Sequence, residues 1–419
     1  FPLKAEWKVE RLSPAGKLVV FGTLVGEFVD TTNNLAIWAG TSVANFAPVA
    51  RTGDLVTALP GTLYTTLGIP TVNAAGQVAF TSIIVGGGVN LNNDQVIFRT
   101  AANGIPAVAL REGMQAAGAA AGARYATFGT PSLNASGAIA VSGSLRGTGV
   151  TSYTDTAAWN NVPGAWQQLV RSGDAAPGVL NGNISVPGFP RINASGAQAL
   201  ISALTGASIN ADNDIAVWTN AGGPLTLVAR KGVANPALPA GVVVASFDGI
   251  AINAQGTILM KVSLTGAGVS AANNSALLAW DRAGTQLVAR TGGTLDVGGV
   301  AKTFASFRVA LDTGAQEGRP SSLSERGQVV YAATFTDNSQ ALVTVNVSRC
   351  SADIAGVGGS SLPDGQQTVD DLIEFVNAFS ENSSFADIVA IGGEPGADGQ
   401  LTVDDLIGFV NAFSDGCPL

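Results

Sequence analysis

Asn134-Ala-Ser-Gly137, followed by the apolar run Ala138–Leu145, is one copy of a pattern that occurs six times in the sequence. Each copy has an Asn or Ser, two further residues, a Gly and then an apolar run. The copies begin at Ser13, Asn73, Asn134, Asn193, Asn253 and Ser324, which lie 60, 61, 59, 60 and 71 residues apart. A repeated unit of this length cannot bury its own apolar face, so neighbouring units are expected to stack or to close into a ring.

Two further markers repeat in phase with the turns. An Arg-x-Gly sequence at the end of an apolar stretch occurs at Arg51, Arg111, Arg171, Arg230 and Arg290. An aromatic residue within a short apolar run occurs at Trp38, Phe98, Trp159, Trp218 and Trp280. We expect the arginines to make structural pairs at the edges of the units and the aromatic residues to pack between units.

Short apolar runs and tight turns predict the fold. Asn and Gly in the turns supply the backbone conformations that tight turns require. Four short antiparallel strands in each unit are typical of a propeller blade. The sequence therefore predicts an all-β fold for residues 1–349, a six-bladed β-propeller with repeats of about 60 residues. A tandem sandwich or a solenoid is the alternative.

Composition excludes several classes of function. The chain has 21 Lys and Arg against 30 Asp and Glu, a net charge of −9, and no His. A nucleic-acid partner is not expected, because the cationic surface that neutralises phosphates is missing. No apolar run approaches the roughly 18 residues that a membrane span needs. The start at Phe1 is interpreted as a mature N-terminus left by signal cleavage, which predicts a secreted, extracellular or cell-surface protein.

The segment Asn73-Ala-Ala-Gly76-Gln-Val-Ala-Phe80 resembles the repeat of secreted tandem-repeat proteins with the signature N-x-x-G-x-x-x-F. In these proteins, called the choice-of-anchor family, the repeat array is joined to interchangeable C-terminal anchors. The other units keep an apolar residue in place of the Phe. The resemblance covers residues 1–349 and implies export without assigning an activity.

Residues 350–419 form a second, acidic and duplicated region. Asp364-Gly-Gln-Gln-Thr-Val-Asp-Asp is repeated 34 residues later as Asp398-Gly-Gln-Leu-Thr-Val-Asp-Asp, and each copy leads into a segment with helical spacing of apolar residues. An acidic loop that runs into a helix is typical of a calcium site. The sequence predicts a small α-helical calcium-loop module, and two Asp-Gly turns that cap helices are the alternative.

This region resembles a dockerin, a paired calcium-loop module that joins secreted proteins to partner domains. It is most similar to the variety in planctomycete-like bacteria that ends in Gly-Cys, here Gly416-Cys417. The resemblance implies calcium as cofactor, although eleven residues separate the first two aspartates of each loop where four are usual, and the third ligand is not named. The implied ligands are Asp353, Asp364, Gln366, Thr368 and Asp371, and then Asp387, Asp398, Gln400, Thr402 and Asp405. In an exported chain Cys350 and Cys417, which bracket the module, are expected to form a disulfide.

The expected function is that of a non-catalytic structural protein. Unit six runs through Gln328–Phe335 and Ala341–Val347 directly to Cys350, so its fourth strand, the one that ends in Arg-x-Gly in the other units, is missing and an open β-edge is predicted. We expect this edge and the tail to join a protein partner or further copies of the chain into a filament or surface layer. The alternatives are a propeller that binds carbohydrates or a surface, displayed through the tail, and a secreted enzyme that acts on polysaccharides.

An enzyme is not expected, because no pair of carboxylates stands out from the repeats. The longest departure from the repeat is the insertion around Leu311–Ser322, which contains Asp312, Glu317 and Arg319. We interpret it as a long loop.

Overall fold

The computed structural model describes residues 4–101, 103–162, 164–282, 284–325, 327–347, 368–383, 386–388 and 400–415. Side chains are described from residue 11 onward. Within these ranges the chain forms six antiparallel sheets followed by two helices. None of the described helices is long and apolar enough to cross a membrane.

Each repeat folds into one sheet, and we call the sheets blades one to six in chain order. Blade one contains β1 (Lys4–Leu12), β2 (Leu18–Val25), β3 (Leu35–Gly40) and β4 (Ala47–Arg51), with a 3-10 turn at Val43–Asn45. Blade two contains β5 (Thr62–Tyr64), β6 (Thr71–Val72), β7 (Val78–Gly86), β8 (Gln95–Thr100) and β9 (Pro106–Arg111). Blade three contains β10 (Ala123–Phe128), β11 (Ser132–Leu133), β12 (Ile139–Gly147), β13 (Thr156–Asn160) and β14 (Gln167–Arg171).

The remaining blades follow the same plan. Blade four contains β15 (Gly182–Pro187), β16 (Arg191–Ile192), β17 (Gln198–Gly206), β18 (Ile215–Thr219) and β19 (Thr226–Arg230). Blade five contains β20 (Val242–Ile252), β21 (Ile258–Gly266), β22 (Ser275–Asp281) and β23 (Gly284–Arg290). Blade six contains β24 (Thr294–Val297), β25 (Val300–Arg308), β26 (Gln328–Phe335) and β27 (Gln340–Asn346). The prediction of an all-β, six-bladed propeller is confirmed.

The recurring Asn turn joins the first two strands of a blade and also clamps neighbouring blades together. The Asn73 side chain accepts a hydrogen bond from Gln77 N at 2.9 Å and donates one to the Asn134 carbonyl of the next blade at 2.8 Å. The donation repeats from Asn134 to Asn193 at 3.1 Å, from Asn193 to Asn253 at 2.6 Å and from Asn253 to Ser324 at 3.1 Å. The Gly that ends each turn takes the positive φ, for example +74° at Gly76.

Apolar side chains fill the spaces between consecutive blades. Phe80 and Phe98 are fully buried against Ile37 of blade one, and their rings stack with centroids 5.5 Å apart. Trp159 packs against Ile97 and Leu110 of blade two and is likewise fully buried. Burying one such side chain stabilises the fold by about 1.5–3 kcal/mol. At Phe98, Trp159 and Trp218, which are fully buried, the expected packing role of the repeated aromatic residue is confirmed.

The repeated arginine has a structural role in all five units. Its Nε donates to a carbonyl in the loop between the second and third strands of its own blade. The five bonds run from Arg51 to Asn33 (2.8 Å), Arg111 to Asn93 (2.8 Å), Arg171 to Thr154 (2.6 Å), Arg230 to Asn213 (2.8 Å) and Arg290 to Asn273 (2.9 Å). This pairing confirms the structural interpretation of the arginines.

Blade six differs from the sequence-based expectation at one edge. Its sheet has four strands in the order β24-β25-β26-β27, but β24 lies at the edge next to β25. Among the described strands none pairs with the far side of β27 as β23 pairs with β22 in blade five, so the predicted absence of the last strand of this unit is confirmed. The additional strand β24 comes before β25 and forms a hairpin with it through Gly298-Gly299, with Val297 paired to Val300. In blades two to five the corresponding position forms only an isolated bridge to the first strand, for example Leu55 with Leu63, so the repeat pattern did not predict β24.

The described part of the C-terminal region contains two helices, α1 (Val369–Ser380) and α2 (Val403–Asp415). They pack through Phe375 and Phe409, whose stacked rings have centroids 4.0 Å apart. Both phenylalanines are fully buried together with Ala386. The duplicated segments thus form a small core of their own.

Candidate functional site

The inner strands of the blades converge near the axis of the propeller. The first strands of neighbouring blades contact one another from β1 through β6, β11 and β16 to β20. In blades one to five the residue two positions before the turn lies on this inner strand, and in blade six it directly precedes the bridge at Leu323. These six positions are Arg11, Thr71, Ser132, Arg191, Ala251 and Ser322. Because the position changes identity from blade to blade while the turn does not, it is free to carry function.

Residues 309–322, which we call the axial plug, cross this central region. They are inserted where the inner strand of blade six is interrupted, between β25 and the bridge that pairs Leu323 with Val329. Their carbonyl groups accept hydrogen bonds from three other blades. Leu12 N donates to Gly318 O, Val72 N to Glu317 O and Ile252 N to Thr313 O, each at 3.2 Å.

The tip of the plug packs tightly against the inner strands. Gly314 lies so close to the Ile192 carbonyl of blade four that a Cβ at this position would clash with it. Thr313 and Glu317 are fully buried. The insertion that we interpreted as a long loop is therefore a central element that contacts blades one, two, four and five.

Charged side chains from the plug and from the inner strands meet at the axis. The fully buried Glu317 accepts a hydrogen bond from the Ser132 hydroxyl and lies 3.9 Å from Arg319 Nε. Arg191 Nη2 lies 3.3 Å from Asp312 Oδ1. The Asp312 side chain is 51% exposed, so solvent reaches this cluster.

The guanidinium groups of the cluster lie close enough to affect one another. Burial lowers the pKa of Arg319, and the nearby Arg191 lowers this pKa further, while Glu317 and Asp312 act in the opposite direction. Burial and then Arg319 also lower the pKa of Arg11, although Glu317 raises it. Arg319 thus lies close to both Arg11 and Arg191. Crowded, partly desolvated cations of this kind favour an added anion, and a guanidinium matches the geometry of a carboxylate.

Glu317 is engaged in holding the plug. The Glu317 carboxylate contacts Ser132 and Arg319, and its Oε1 also lies 3.4 Å from the Gly314 N. This arrangement favours binding over proton transfer, because the carboxylate already has its partners. Sequence reasoning singled out Asp312, Glu317 and Arg319 as a departure from the repeat but missed Arg11, Ser132 and Arg191. The signal for the missed residues is the variable position two residues before each turn.

The predicted calcium ligands are described only in part. Asp353, Asp364, Gln366 and Asp398 lie outside the described residues, as do Cys350 and Cys417. Thr368 with Asp371 and Thr402 with Asp405 interact at the starts of α1 and α2. The Asp371 carboxylate accepts from Thr368 N at 2.7 Å, and the Asp405 carboxylate accepts from Thr402 N at 2.8 Å. These bonds stabilise the helix starts, as the alternative interpretation expects.

The second loop brings two of the predicted ligands together. Ile388 N, directly after Asp387, donates to Asp405 Oδ1 at 2.8 Å, and both aspartates are buried. Buried carboxylate oxygens are the hard ligands that calcium prefers, so these residues fit the ion. Among the described residues no three acidic, His or Cys side chains are grouped to hold a metal. Gln400 is exposed. The calcium site therefore stays a prediction.

The fold and the axial site define an all-β propeller with charged residues at its centre. The chain belongs to a family of unknown function, DUF7453, whose model matches residues 11–348. No curated protein matches the sequence.

Solved structures share the fold at low similarity. A sialidase of Trypanosoma rangeli is 11% identical with a TM-score of 0.33, and the match covers 94% of this chain and 60% of the sialidase. A β-1,3-galactosidase is 11% identical with a TM-score of 0.30, covering 65% of this chain and 90% of that one. An α-L-arabinanase of Penicillium chrysogenum is 9% identical with a TM-score of 0.28, covering 80% of this chain and 92% of that one.

These findings correct the predicted function. The propeller structures that resemble the chain are named as enzymes that act on carbohydrates, not as structural subunits. The prediction of a structural building block was therefore wrong.

Proposed function

We propose that this protein is an exported propeller that binds an acidic glycan at its axis. The observation that carries the proposal is the axial cluster in which Arg11, Arg191 and Arg319 crowd together beside Asp312 and Glu317. A uronate carboxylate would offset the repulsion among these guanidinium groups and accept paired N–H bonds from one of them. With a net charge of −9 over the whole chain, a nucleic-acid polyanion is a poor alternative.

Calorimetric titration of the full chain with tri-galacturonate tests this function, with neutral galactotriose as the reference sugar. We expect binding of the acidic sugar alone. The double variant Arg191→Gln/Arg319→Gln should weaken that binding by roughly tenfold or more, because charge-assisted hydrogen bonds are lost. The exposed Arg282→Gln is the matched control. Equal binding of both sugars, or no effect of the double variant, would contradict the proposal.

We further propose that the bound glycan is not hydrolysed. Glu317 is occupied by Ser132, Gly314 and Arg319, so it is poorly placed to exchange protons with a substrate. Reducing-end assays on acidic and neutral polysaccharides should show no turnover above buffer. An activity that disappears in Asp312→Ala or Glu317→Ala would overturn this assignment in favour of a secreted polysaccharide-active enzyme.

The tail would display the propeller by binding a protein partner. Each helix exposes an apolar stripe at the same spacing, which is unusual for a small acidic module. The exposed residues are Val369 (64%), Ile373 (53%) and Val376 (49%) on α1, and Val403 (63%), Ile407 (51%) and Val410 (46%) on α2. The resemblance to dockerins supports the same role.

The variant Ile373→Glu/Ile407→Glu tests display through the tail. In the producing cells it should shift the protein from the cell-surface fraction to the medium, because charged side chains disrupt an apolar interface. Glycan binding by the purified variant should be unchanged. Retention at the surface equal to that of the unmodified chain would rule out these stripes as the contact.

A further inference from the structure

A crevice of about 540 Å³ lies at the boundary between blades two and three. Arg111 and Glu112 at the end of blade two, Arg124 and Arg146 of blade three and the loop 90–93 line it. Arg146 bridges the two blades, since its Nη1 lies 2.6 Å from Glu112 Oε1 and its Nη2 donates to the Asn92 carbonyl. The volume is sufficient for a sugar residue with its substituents.

The repeat provides an internal comparison for this crevice. Arg124 and Arg146 are paired directly across β10 and β12. At the same place blades two, four and five carry neutral pairs, namely Leu63 with Val85, Asn183 with Thr205 and Val243 with Thr265, and blade one carries a single charge in Lys4 with Val25. Like charges directly opposite each other destabilise a sheet, so the fold has no need of this pair.

Glu112 is also specific to this blade. The position after the repeated arginine is Thr52, Ser172, Lys231 and Thr291 in the other units. Thr52, Ser172 and Thr291 accept a bond from one backbone N–H of their own blade at 3.1 Å. Glu112 does the same for Asp94 N and Gln95 N at 3.1 Å each and holds Arg146 as well. The substitution thus positions an arginine of the next blade.

The arginines retain donors for a ligand. Arg111 uses Nε for the Asn93 carbonyl, and Arg124 uses Nη1 for the Gly113 carbonyl at 2.7 Å. A guanidinium carries five N–H donors, so the hydrogen bonds among the described residues leave most donors of these two side chains available. Glu112 is the only carboxylate among the residues that line the crevice, against three arginines.

We propose that this crevice is a second anion site, which binds a carboxylate or sulfate group of an acidic glycan between Arg124 and Arg146. An oxyanion placed there offsets the repulsion between the two guanidinium groups and accepts their remaining N–H donors. The site is separate from the axial cluster and stands on different residues.

The repeat supplies substitutions that the same backbone already accepts. In the variant Glu112→Ser/Arg124→Asn/Arg146→Thr, blade three takes Asn and Thr from the corresponding positions of blade four, and position 112 takes the Ser of position 172. Removing Glu112 together with Arg146 avoids leaving a buried carboxylate without its partner. The single variant Arg124→Asn, at an exposed side chain, is the milder version.

Calorimetric titration of the full chain with galacturonic acid and with galactose 6-sulfate distinguishes the two sources of the anion. All titrations are made in the Arg191→Gln/Arg319→Gln background, so that the axial site does not contribute. We expect one site per chain for at least one probe. Arg124→Asn should weaken it by roughly tenfold, and the triple variant should abolish it. Absence of binding of both probes, or binding unchanged by Arg124→Asn, would overturn the proposal.

Discussion

At the scale of single residues, the Asn of the turn does two tasks with one side chain. Its carbonyl oxygen closes the turn, and its amide nitrogen reaches the next blade. In blade one Ser13 keeps the first task, accepting from Lys17 N at 2.9 Å, but has no amide for the second. Lys17 supplies that link instead, with its Nζ 2.7 Å from the Gly76 carbonyl. A short repeat can thus specify both a local turn and the contact between blades.

Losing the hydrogen bond between blades should lower the free energy of unfolding more than losing the bond within the turn. Asn193→Ala removes the bond to the Asn253 carbonyl of blade five and the bond from the Ser195 hydroxyl, and should lower the free energy of unfolding by about 1–3 kcal/mol. Ser13→Ala removes only the local bond and should cost about 0.5–1.5 kcal/mol. Urea unfolding followed by tryptophan fluorescence measures both. Equal costs would show that the bond between blades adds nothing.

Asp94 is expected to make the folded chain less stable as pH rises. Burial raises the pKa of Asp94, the hydrogen bond and negative charge of Glu112 raise it further, and its own backbone N–H and Arg146 act in the opposite direction. The folded chain therefore binds this proton more tightly than the unfolded chain. The stabilisation is complete below the ordinary pKa of 3.8 and is lost as pH rises through the raised value.

Asp94→Asn isolates this contribution. As pH rises from about 4 to 8, the unfolding free energy of the variant should increase relative to that of the unmodified chain. Urea unfolding at each pH measures it. Asp30, whose pKa is lowered by hydrogen bonds from Thr32, provides the opposite case, and Asp30→Asn should lose relative stability as pH rises. A difference for Asp94→Asn that stays constant with pH would contradict the assignment.

At the scale of elements, regular spacing could be predicted and its interruption could not. The turns at Asn73, Asn134 and Asn193 located the strands because Gly needs a positive φ there and the apolar runs need a buried face. The plug does not follow the repeat. Its conformation depends on hydrogen bonds that its carbonyl groups accept from Leu12 N, Val72 N and Ile252 N, which lie far away in the sequence. Only its length, in the 71-residue spacing, was visible beforehand.

Removing the plug tests what it contributes. In blade four, Gly188-Phe189-Pro190 makes the connection that residues 309–321 make in blade six. Replacing 309–321 by Gly-Phe-Pro should abolish axial binding of tri-galacturonate and lower the free energy of unfolding by about 2–5 kcal/mol, because buried backbone donors lose their acceptors. Two glycines added between Gly298 and Gly299 serve as the control. Unchanged glycan binding would mean that the plug does not build the site.

At the scale of the whole molecule, the repetition in the sequence predicted the blades and the duplication predicted the helices. The residues that come together at the two candidate sites could not be predicted from the sequence. Arg11 and Arg191 lie 180 positions apart, and no local pattern connects them. Arg124 and Arg146 become informative only when the strand pairing places them opposite each other. Function in a repeat fold therefore has to be sought where one unit departs from the others.

Calcium should stabilise the tail without affecting the propeller. The two bodies have separate cores, since Phe375 and Phe409 pack together and Phe80, Trp159 and Trp218 lie between blades. An ion that binds only the folded module raises its stability by RT ln(1 + [Ca²⁺]/Kd), about 2.7 kcal/mol when calcium is at roughly 100 times Kd. Calorimetry of the full chain should therefore show one transition that moves to higher temperature with calcium and returns with EDTA, and another that does not move.

Asp387→Asn decides whether the shift arises at the predicted loop. It removes one carboxylate charge from the pair that Ile388 N and Asp405 hold together, so the calcium-dependent shift should become smaller. Glu381→Asn, at the exposed end of α1, changes the net charge equally and should leave the shift intact. If both variants reduced the shift to the same extent, calcium would be acting through general screening of an acidic module. If neither did, the duplicated aspartates would serve the helix starts alone.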